Sequence, residues 1–249
     1  MKTNTVNSLK KSLFLAFILI AITIVISIVL KYNVEGEKTL PYSIEKILIV
    51  SQVDANNNET NTENLWDIKL KENNNIFIYI KKDKKDTNET IKEIKINHFS
   101  IIQKPKVGNM KVYRPTGDLG NSLYQYSEQN YLNSEILYTG ANVDTLKNLE
   151  IRNEGGMIGF RVSLEDLGNF ISNDMESEGI TYNGSLLSKI GLSNDDIKFN
   201  ISFDLTITLN NNVSFTGTIT LDLPCSDIIN ETEPHLEITD FSNVIFKRE

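Results

Sequence analysis

The fold class of this chain is decided by residues 201–223, which read ISFDLTITLNNNVSFTGTITLDL. On both sides of the three asparagines, apolar residues alternate with Ser, Thr and Asp, the pattern of two half-buried strands joined by a turn. Closing the hairpin over the asparagines places Phe203 opposite Ile219. One face of the hairpin is then apolar throughout, so a second layer of structure has to cover it.

The same two-residue period occurs in shorter stretches from residue 44 onward. A second hairpin is predicted around Gly155-Gly156, because glycines supply the positive φ angles that a tight turn needs. Further strands are predicted at 44–50, 65–70, 76–80, 94–101, 110–114, 135–138 and 244–247. Short helices are predicted at 163–171 and 185–190. The sequence thus predicts a mainly β protein, an antiparallel β-sandwich or barrel-like domain with one or two short helices.

The most apolar part of the chain lies near its start. Residues 12–30 contain no charged residue, Pro or Gly. As a helix with a rise of 1.5 Å per residue they reach about 28 Å, close to the hydrocarbon thickness of a bilayer. Lysines precede this stretch, whereas Lys31 and Lys38 after it are balanced by Glu35 and Glu37. Positive charge is retained in the cytoplasm, so the bulk of the chain is predicted to lie outside.

These observations predict a single-pass protein of the cell membrane. Residues 1–11 form a cytoplasmic tail, 12–31 a transmembrane signal-anchor helix in contact with lipid, and 32–249 an extracytoplasmic β domain. One continuous domain is favoured; the alternative is two β units that meet at a seam at 117–131. The competing interpretation is a cleaved signal peptide, which requires small residues at a cleavage site. Residues 29–34 contain no such cleavage site.

Two polar stretches are predicted to be exposed loops that join neighbouring strands. Residues 54–64 are rich in Asn, Glu and Thr, and residues 81–90 contain four crowded lysines. The lysine run has two interpretations. It contacts anionic lipid or a wall polymer, or it is a solvated hairpin tip.

Composition limits the partners. The chain has 249 residues and a formal net charge of −8 at pH 7, so a phosphate-binding surface would have to be a local patch set against the average field. Nucleic acid is therefore excluded as a partner. With 40% hydrophobic residues, the chain can form a sizeable core.

The single cysteine carries the one enzymatic hypothesis. The segment 220–225, Thr-Leu-Asp-Leu-Pro-Cys, resembles the Thr-Leu-x-Thr-Cys segment of sortases, anchored β-barrel transpeptidases that use a Cys, a His and an Arg. This chain has one extra residue, a Pro before Cys225, and no Arg until Arg248. Because alternate residues of a strand point to the same face, Cys225 is predicted to lie on the same face as Leu221 and Leu223. This position is typical of a small core residue rather than an activated thiolate.

Other candidate groups have structural alternatives. His98 follows Ile96 at strand spacing and is predicted to be a partly buried strand residue, while His235 lies in a segment that reads as a loop. The acidic stretch 174–179 begins like a calcium loop but lacks the bidentate Glu at its twelfth position, so a solvated loop is predicted. Asp195 and Asp196 are predicted to form a turn or to cap a helix. No metal site, cofactor site or catalytic residue is predicted.

Two arginines offer an anion-binding hypothesis. Arg152 and Arg161 fall on the polar faces of the hairpin at Gly155-Gly156 by strand parity. Their guanidinium groups match the geometry of a carboxylate or of a polymer such as a teichoic acid. The alternative is cross-strand pairing with Glu150 or Glu154.

Several segments together resemble single-pass membrane proteins of low-GC Gram-positive bacteria, a group with no assigned activity. They are the anchor, 31–37 (KYNVEGE), 154–156 (EGG), 203–205 (FDL) and 221–224 (LDLP). The resemblance implies location and architecture only. We therefore predict a non-enzymatic binding or assembly module of the cell envelope, whose partner is a cell-wall polymer or another envelope protein. The alternative is a surface hydrolase or sortase-like transpeptidase that uses Cys225.

Overall fold

The computed structural model describes residues 13–30, 40–57, 66–83, 88–115, 125–139, 151–152, 155–172, 183–231 and 234–249. Helix α1, Leu13–Leu30, contains no charged residue, and none of it is buried against the rest of the protein. At 1.5 Å per residue it reaches about 27 Å, which is long enough to cross a membrane. This agrees with the predicted span.

The described residues also form eleven strands and two short helices. The strands are β1 (Tyr42–Asn57), β2 (Trp66–Lys82), β3 (Ile91–Gln103), β4 (Asn109–Tyr113), β5 (Ile136–Thr139), β6 (Ile151–Arg152), β7 (Gly155–Ser172), β8 (Phe199–Leu209), β9 (Ser214–Leu223), β10 (His235–Ile238) and β11 (Lys247–Arg248). The helices are α2 (Ser185–Lys189) and α3 (Asn194–Ile197).

The strands form two antiparallel sheets, as the predicted mainly β sandwich requires. Sheet I has the order β10-β1-β2-β7-β4, with β6 paired to β7, and sheet II has the order β11-β9-β8-β3-β5. The core between them includes Phe160 of sheet I, whose ring lies 5.1 Å from Phe203 and 5.6 Å from Phe99 of sheet II. The Tyr138 hydroxyl of sheet II donates a hydrogen bond to the Gly159 carbonyl of sheet I.

The hairpin that decided the fold class is present with its predicted register. Phe203 pairs with Ile219 between β8 and β9, and the Leu209 amide donates to the Val213 carbonyl at 2.9 Å. The alternating side chains of both strands are buried on the core side. The apolar face is covered by sheet I, as the pattern demanded.

The second predicted hairpin is also confirmed, as β6 and β7. Gly155 and Gly156 have φ angles of 114° and 156° and pair with Arg152 and Ile151. Gly155 is needed for a further reason. A Cβ atom at this position would lie 2.0 Å from the Ile80 carbonyl oxygen of the neighbouring strand β2.

The helix predicted at 163–171 is wrong, because these residues continue strand β7. Leu164 is buried in the core, while Glu165 and Asp166 turn outward at an irregularity where Asp166 adopts a φ of 59°. Pairing with both β2 and β4 supplies the backbone hydrogen bonds that a helix would have supplied locally. The helix predicted at 185–190 is confirmed as α2.

Strand β2 is one continuous strand where the sequence predicted two, at 65–70 and 76–80. It pairs with β1 from Ile68 to Lys82 and with β7 from Trp66 to Lys81, and each ladder has one irregularity. The predicted loop at 54–64 is wrong in its first part, because 54–57 belong to β1; residues 58–65 lie outside the described residues. The predicted loop at 81–90 begins inside β2 and connects strands of different sheets, not neighbours.

The end of the chain also differs from the prediction. The strand predicted at 244–247 reduces to the two residues of β11, and β10 was not predicted. Both sheets draw strands from before and after the predicted seam at 117–131, of which residues 125–131 are described. In that segment the Tyr131 amide donates to the Val112 carbonyl at 2.7 Å and covers the edge of β4.

Candidate functional site

The most unusual feature of the described structure is a run of four buried polar residues in the middle of strand β2, Glu72-Asn73-Asn74-Asn75. Successive side chains of a strand point to opposite faces of its sheet. Glu72 and Asn74 share the face of Ile68 and Ile76 and point into the sandwich. Asn73 and Asn75 point outward. The run therefore contributes to two clusters, one on each face of sheet I.

The inner cluster consists of Ser51, Glu72, Asn74 and Cys225. The Ser51 hydroxyl donates to Asn74 Oδ1 at 2.6 Å and lies 3.2 Å from Cys225 Sγ. The backbone amide of Cys225 donates to Ser51 Oγ at 3.0 Å. Ser51 thus connects the first strand of the domain to the turn after β9. Asn74 also donates to the Val162 carbonyl of β7 at 3.4 Å.

Glu72 is the least satisfied member of the inner cluster. Its side chain is fully buried, and neither carboxyl oxygen makes a hydrogen bond with a described residue. Burial disfavours the charged form and raises the pKa of Glu72 well above its ordinary value; the nearby Asn74 amide opposes this shift but does not outweigh it. The folded protein therefore favours the protonated form of this carboxyl group.

The predicted core position of Cys225 is consistent with its contacts. Its thiol is half-buried and donates to the Pro234 carbonyl at 3.3 Å. Burial raises the pKa of the thiol, although the hydrogen bonds with Ser51 oppose this. Neither a histidine nor an arginine is among the recorded partners of this thiol in the described part of the chain. An activated thiolate needs positive charge beside it, so this environment favours the neutral thiol.

The outer cluster lies on the opposite face of sheet I and consists of Asp54, Asn73, Asn75, Arg161, Ser163 and Tyr126. Strands β1, β2 and β7 position all of them except Tyr126, which follows β4 and pairs with Pro115. The Ser163 hydroxyl donates to Asn73 Oδ1 at 2.6 Å, and Asn73 Nδ2 donates to Asp54 at 3.3 Å. Asn73, Asn75 and Ser163 are buried although they face away from the core.

Arg161 lies at the centre of the outer cluster. Its Nε donates to Asn75 Oδ1 at 2.8 Å, and its guanidinium carbon lies 4.0 Å from the centre of the Tyr126 ring. Burial lowers the pKa of Arg161, and the tyrosine and Asp54 oppose this shift. The amide nitrogen of Asn75 is buried and has no hydrogen-bond partner among the described residues. A partly desolvated guanidinium held against an aromatic ring is an arrangement suited to an anionic group.

A third set of polar contacts borders the outer cluster on the β4 side. The Tyr113 hydroxyl donates to Glu165, and Lys111 Nζ lies 2.5 Å from the same carboxylate. Burial opposes ionisation of Glu165, but Lys111 and Tyr113 lower its pKa below the ordinary value. Lys111 and Tyr113 thus engage Glu165, while the Tyr126 ring contacts the Arg161 guanidinium.

The structure corrects both histidine predictions. His98 is 75% exposed, has a φ of 52°, and contacts Asp204 Oδ2 through Nδ1 at 2.9 Å. An irregularity in the pairing of β3 with β8 turns the side chain outward, which a plain two-residue count does not reveal. His235 was predicted to be in a loop, but it opens strand β10 and pairs with Val50.

The remaining candidates have mixed outcomes. The predicted acidic loop at 174–179 and the Arg152 side chain lie outside the described residues. Asp196 provides cap chemistry for α3, as predicted. It accepts hydrogen bonds from the Ser193 backbone and hydroxyl, which together with Lys106 lower its pKa to about 2. Within the described residues no three His, Cys, Asp or Glu side chains are grouped to hold a metal ion.

Of the two clusters at β2, reasoning from sequence identified Arg161 as a candidate and placed Cys225 in the core, but it missed the polar run of β2. The predicted strands stopped at residue 70 and resumed at 76, and Asn is depleted in strands. One signal was available. The even-numbered apolar residues before and after this stretch, such as Leu70 and Ile76, keep the same parity across it, which a continuous strand explains.

Comparison with known proteins adds no family. No protein-family model, curated protein or solved structure matches this chain. Its function therefore has to be argued from the helix, the sandwich and the two clusters.

Proposed function

We propose that this protein is a non-enzymatic binding module of the cell envelope, anchored by helix α1 with its N-terminus in the cytoplasm and its sandwich outside. The apolar helix and the lysines before it support the anchor and its orientation. The likeness to membrane proteins of low-GC Gram-positive bacteria supports the same location.

The outer cluster is the proposed binding site, and its ligand is an anionic cell-wall polymer. The observation that carries this proposal is the half-buried Arg161 guanidinium, which is stacked on Tyr126 on the outer face of sheet I. A phosphate or carboxylate of the polymer would accept hydrogen bonds from this guanidinium. The net charge of the chain, −8, disfavours diffuse binding of an anion, so recognition has to be local.

The alternative, a surface hydrolase or sortase-like transpeptidase that uses Cys225, needs an ionised and accessible thiol. The half-buried thiol with a raised pKa and a backbone carbonyl as its acceptor favours the binding function over this alternative.

The test is binding of the full chain, in detergent micelles, to purified poly(glycerol phosphate) teichoic acid. We expect Arg161→Gln to weaken binding at least tenfold, which corresponds to about 1.4 kcal/mol. Arg161→Lys should not restore it, because an ammonium group lacks the planar face that stacks on Tyr126 and forms no bidentate contact. The matched control is Arg248→Gln, which removes the same charge from an exposed residue of sheet II and should bind like the unmodified protein.

Two results would overturn the proposed site. One is unchanged binding by Arg161→Gln, and the other is an equal loss in Arg248→Gln, which would indicate that only total charge matters. Failure of the unmodified protein to bind the polymer would exclude this ligand class and direct attention to another envelope protein. Circular dichroism of each variant checks that the sandwich is intact.

A further inference from the structure

The end of the sandwich at which the chain arrives from helix α1 has a recess whose lining combines apolar side chains with Ser43, Asp83 and Ser242. Its volume is about 360 Å³. It is lined by the start of β1 and the chain terminus, including Leu40, Ile44, Phe241, Val244 and Ile245. We call this end of the molecule the near end, and the opposite end, where β7 stops at Ser172, the far end.

Chain length fixes how far the near end can be from the membrane. Helix α1 ends at Leu30, and Leu40, the first described residue of the domain, is part of the recess wall. Ten residues span at most about 36 Å between these two Cα atoms, whatever their conformation. Strand β7, with 18 residues, extends about 60 Å at roughly 3.3 Å per residue. The far end can therefore be well beyond the reach of this connection.

The near end also has the side chains of a membrane interface. Ile245 is 50% exposed at the mouth of the recess, next to the exposed Ser242. The Lys82 ammonium lies 6.0 Å above the centre of the Tyr42 ring, and Lys81 is exposed on the adjacent position of β2. Lysines with aromatic and aliphatic neighbours are typical of surfaces that rest among lipid headgroups. Asp83 is the acidic side chain among the lining residues.

We propose that the near end docks onto the bilayer that holds helix α1, with Ile245 inserted among the headgroups. This inference rests on the proposed membrane anchor and adds a second, peripheral contact with the same membrane. An exposed isoleucine gains free energy by leaving water. The short connection keeps the lipid surface within reach at high effective concentration.

The experiment places a fluorescent bimane label at Ile245→Cys in the full chain, in a Cys225→Ser background that keeps a hydroxyl donor toward Pro234. The protein is reconstituted in vesicles of phosphatidylcholine and phosphatidylglycerol that contain nitroxide-labelled lipid. The matched control is Ile171→Cys, because Ile171 is equally apolar and 61% exposed but belongs to the far end. We expect lipid quenching at position 245 to exceed that at position 171 at least threefold.

A second variant separates insertion from simple proximity. The label is moved to Ser242→Cys, with and without Ile245→Asp. We expect Ile245→Asp to reduce quenching at position 242 to the level of position 171, because a charged side chain does not insert. Unchanged quenching would overturn the role of Ile245.

Flotation of the same vesicles after carbonate treatment distinguishes the two proposals. If the chain floats and positions 245 and 171 are quenched equally, docking is wrong and the anchor stands. If the chain does not float, both proposals are wrong. A label at 245 that is shielded from water but not quenched by lipid would assign the recess to another part of the protein or to a second copy, and would also overturn lipid docking.

Discussion

Glu72 shows how a single residue can be costly for the fold and still be accommodated. Its neighbours on the same face of β2 are Leu70 and Asn74, and its cross-strand partners are Val53 and Leu164. This environment is mostly apolar, and a carboxylate there would lack the hydrogen bonds that stabilise its charge. The protonated form avoids the larger part of this penalty. The residue therefore links the stability of the sandwich to pH.

Stability should fall as pH rises because of Glu72. Its pKa in the folded protein is raised, so the unfolded carboxyl ionises above pH ~4.5 while the folded one stays protonated, and each pH unit in this range costs up to about 1.4 kcal/mol. We expect Glu72→Gln to increase the free energy of unfolding by about 1–3 kcal/mol at pH 7 and by nothing near pH 4. Guanidinium unfolding of the full chain in detergent, followed by circular dichroism, measures both values.

The control for this prediction is Glu45→Gln, since Glu45 is exposed on β1. It should leave the pH dependence of unfolding unchanged. A stabilisation by Glu72→Gln that is the same at pH 4 and pH 7 would show that ionisation is not its cause.

At the scale of elements, the alternation of apolar and polar residues predicted most strands. The lengths of the strands depend on pairing with partners distant in sequence. The β8–β9 hairpin could be predicted with its register because both strands alternate cleanly around a short turn. The polar middle of β2 and the second half of β7 could not, because their strand conformation depends on partners distant in sequence. Asn73 is satisfied by Asp54 and Ser163, and no local pattern encodes such contacts.

The packing of β7 against β2 requires a glycine at position 155, the first residue of β7. We expect Gly155→Ala to destabilise the protein by about 3 kcal/mol or more, because the added methyl group would overlap the backbone of Ile80 and the φ of 114° is strained for alanine. Gly191→Ala is the matched control. Gly191 also has a positive φ, of 83°, but a Cβ there meets no atom within 4 Å.

The two variants separate backbone strain from steric overlap. Gly191→Ala should cost only about 1 kcal/mol, the penalty for the left-handed conformation. Chemical denaturation of the full chain measures both. Equal losses for the two variants would show that the close approach of β7 to β2 does not limit stability.

At the scale of the whole molecule, the sequence predicted a span followed by a β domain. The described residues contain an apolar helix long enough to cross a membrane, followed by two antiparallel sheets. Of the residues in the candidate binding site, only Arg161 was predicted from the sequence. Its partners Asn75 and Tyr126 come from distant parts of the chain, so only the folded sheet brings them together.

The predicted anchor and its orientation have a direct test. In intact cells, we expect protease added outside to remove a tag fused after Glu249, and carbonate to leave the chain in the membrane. Ile20→Asp together with Ile24→Asp should release the chain or prevent its insertion, since each acidic residue costs about 3 kcal/mol at the centre of a span. Ser185→Asp together with Ser188→Asp, on exposed positions of α2, is the control for added charge. A protected tag would contradict the orientation.

The order of strands in sheet I has a mechanical consequence. The chain enters the sandwich at the beginning of β1, and Arg161 is two strands away on β7, with β2 between them. A pull on a polymer held at Arg161, resisted at the membrane, would act along these long antiparallel strands. The hydrogen bonds of the β1–β2 ladder would then be loaded in shear and share the force, instead of opening one after another.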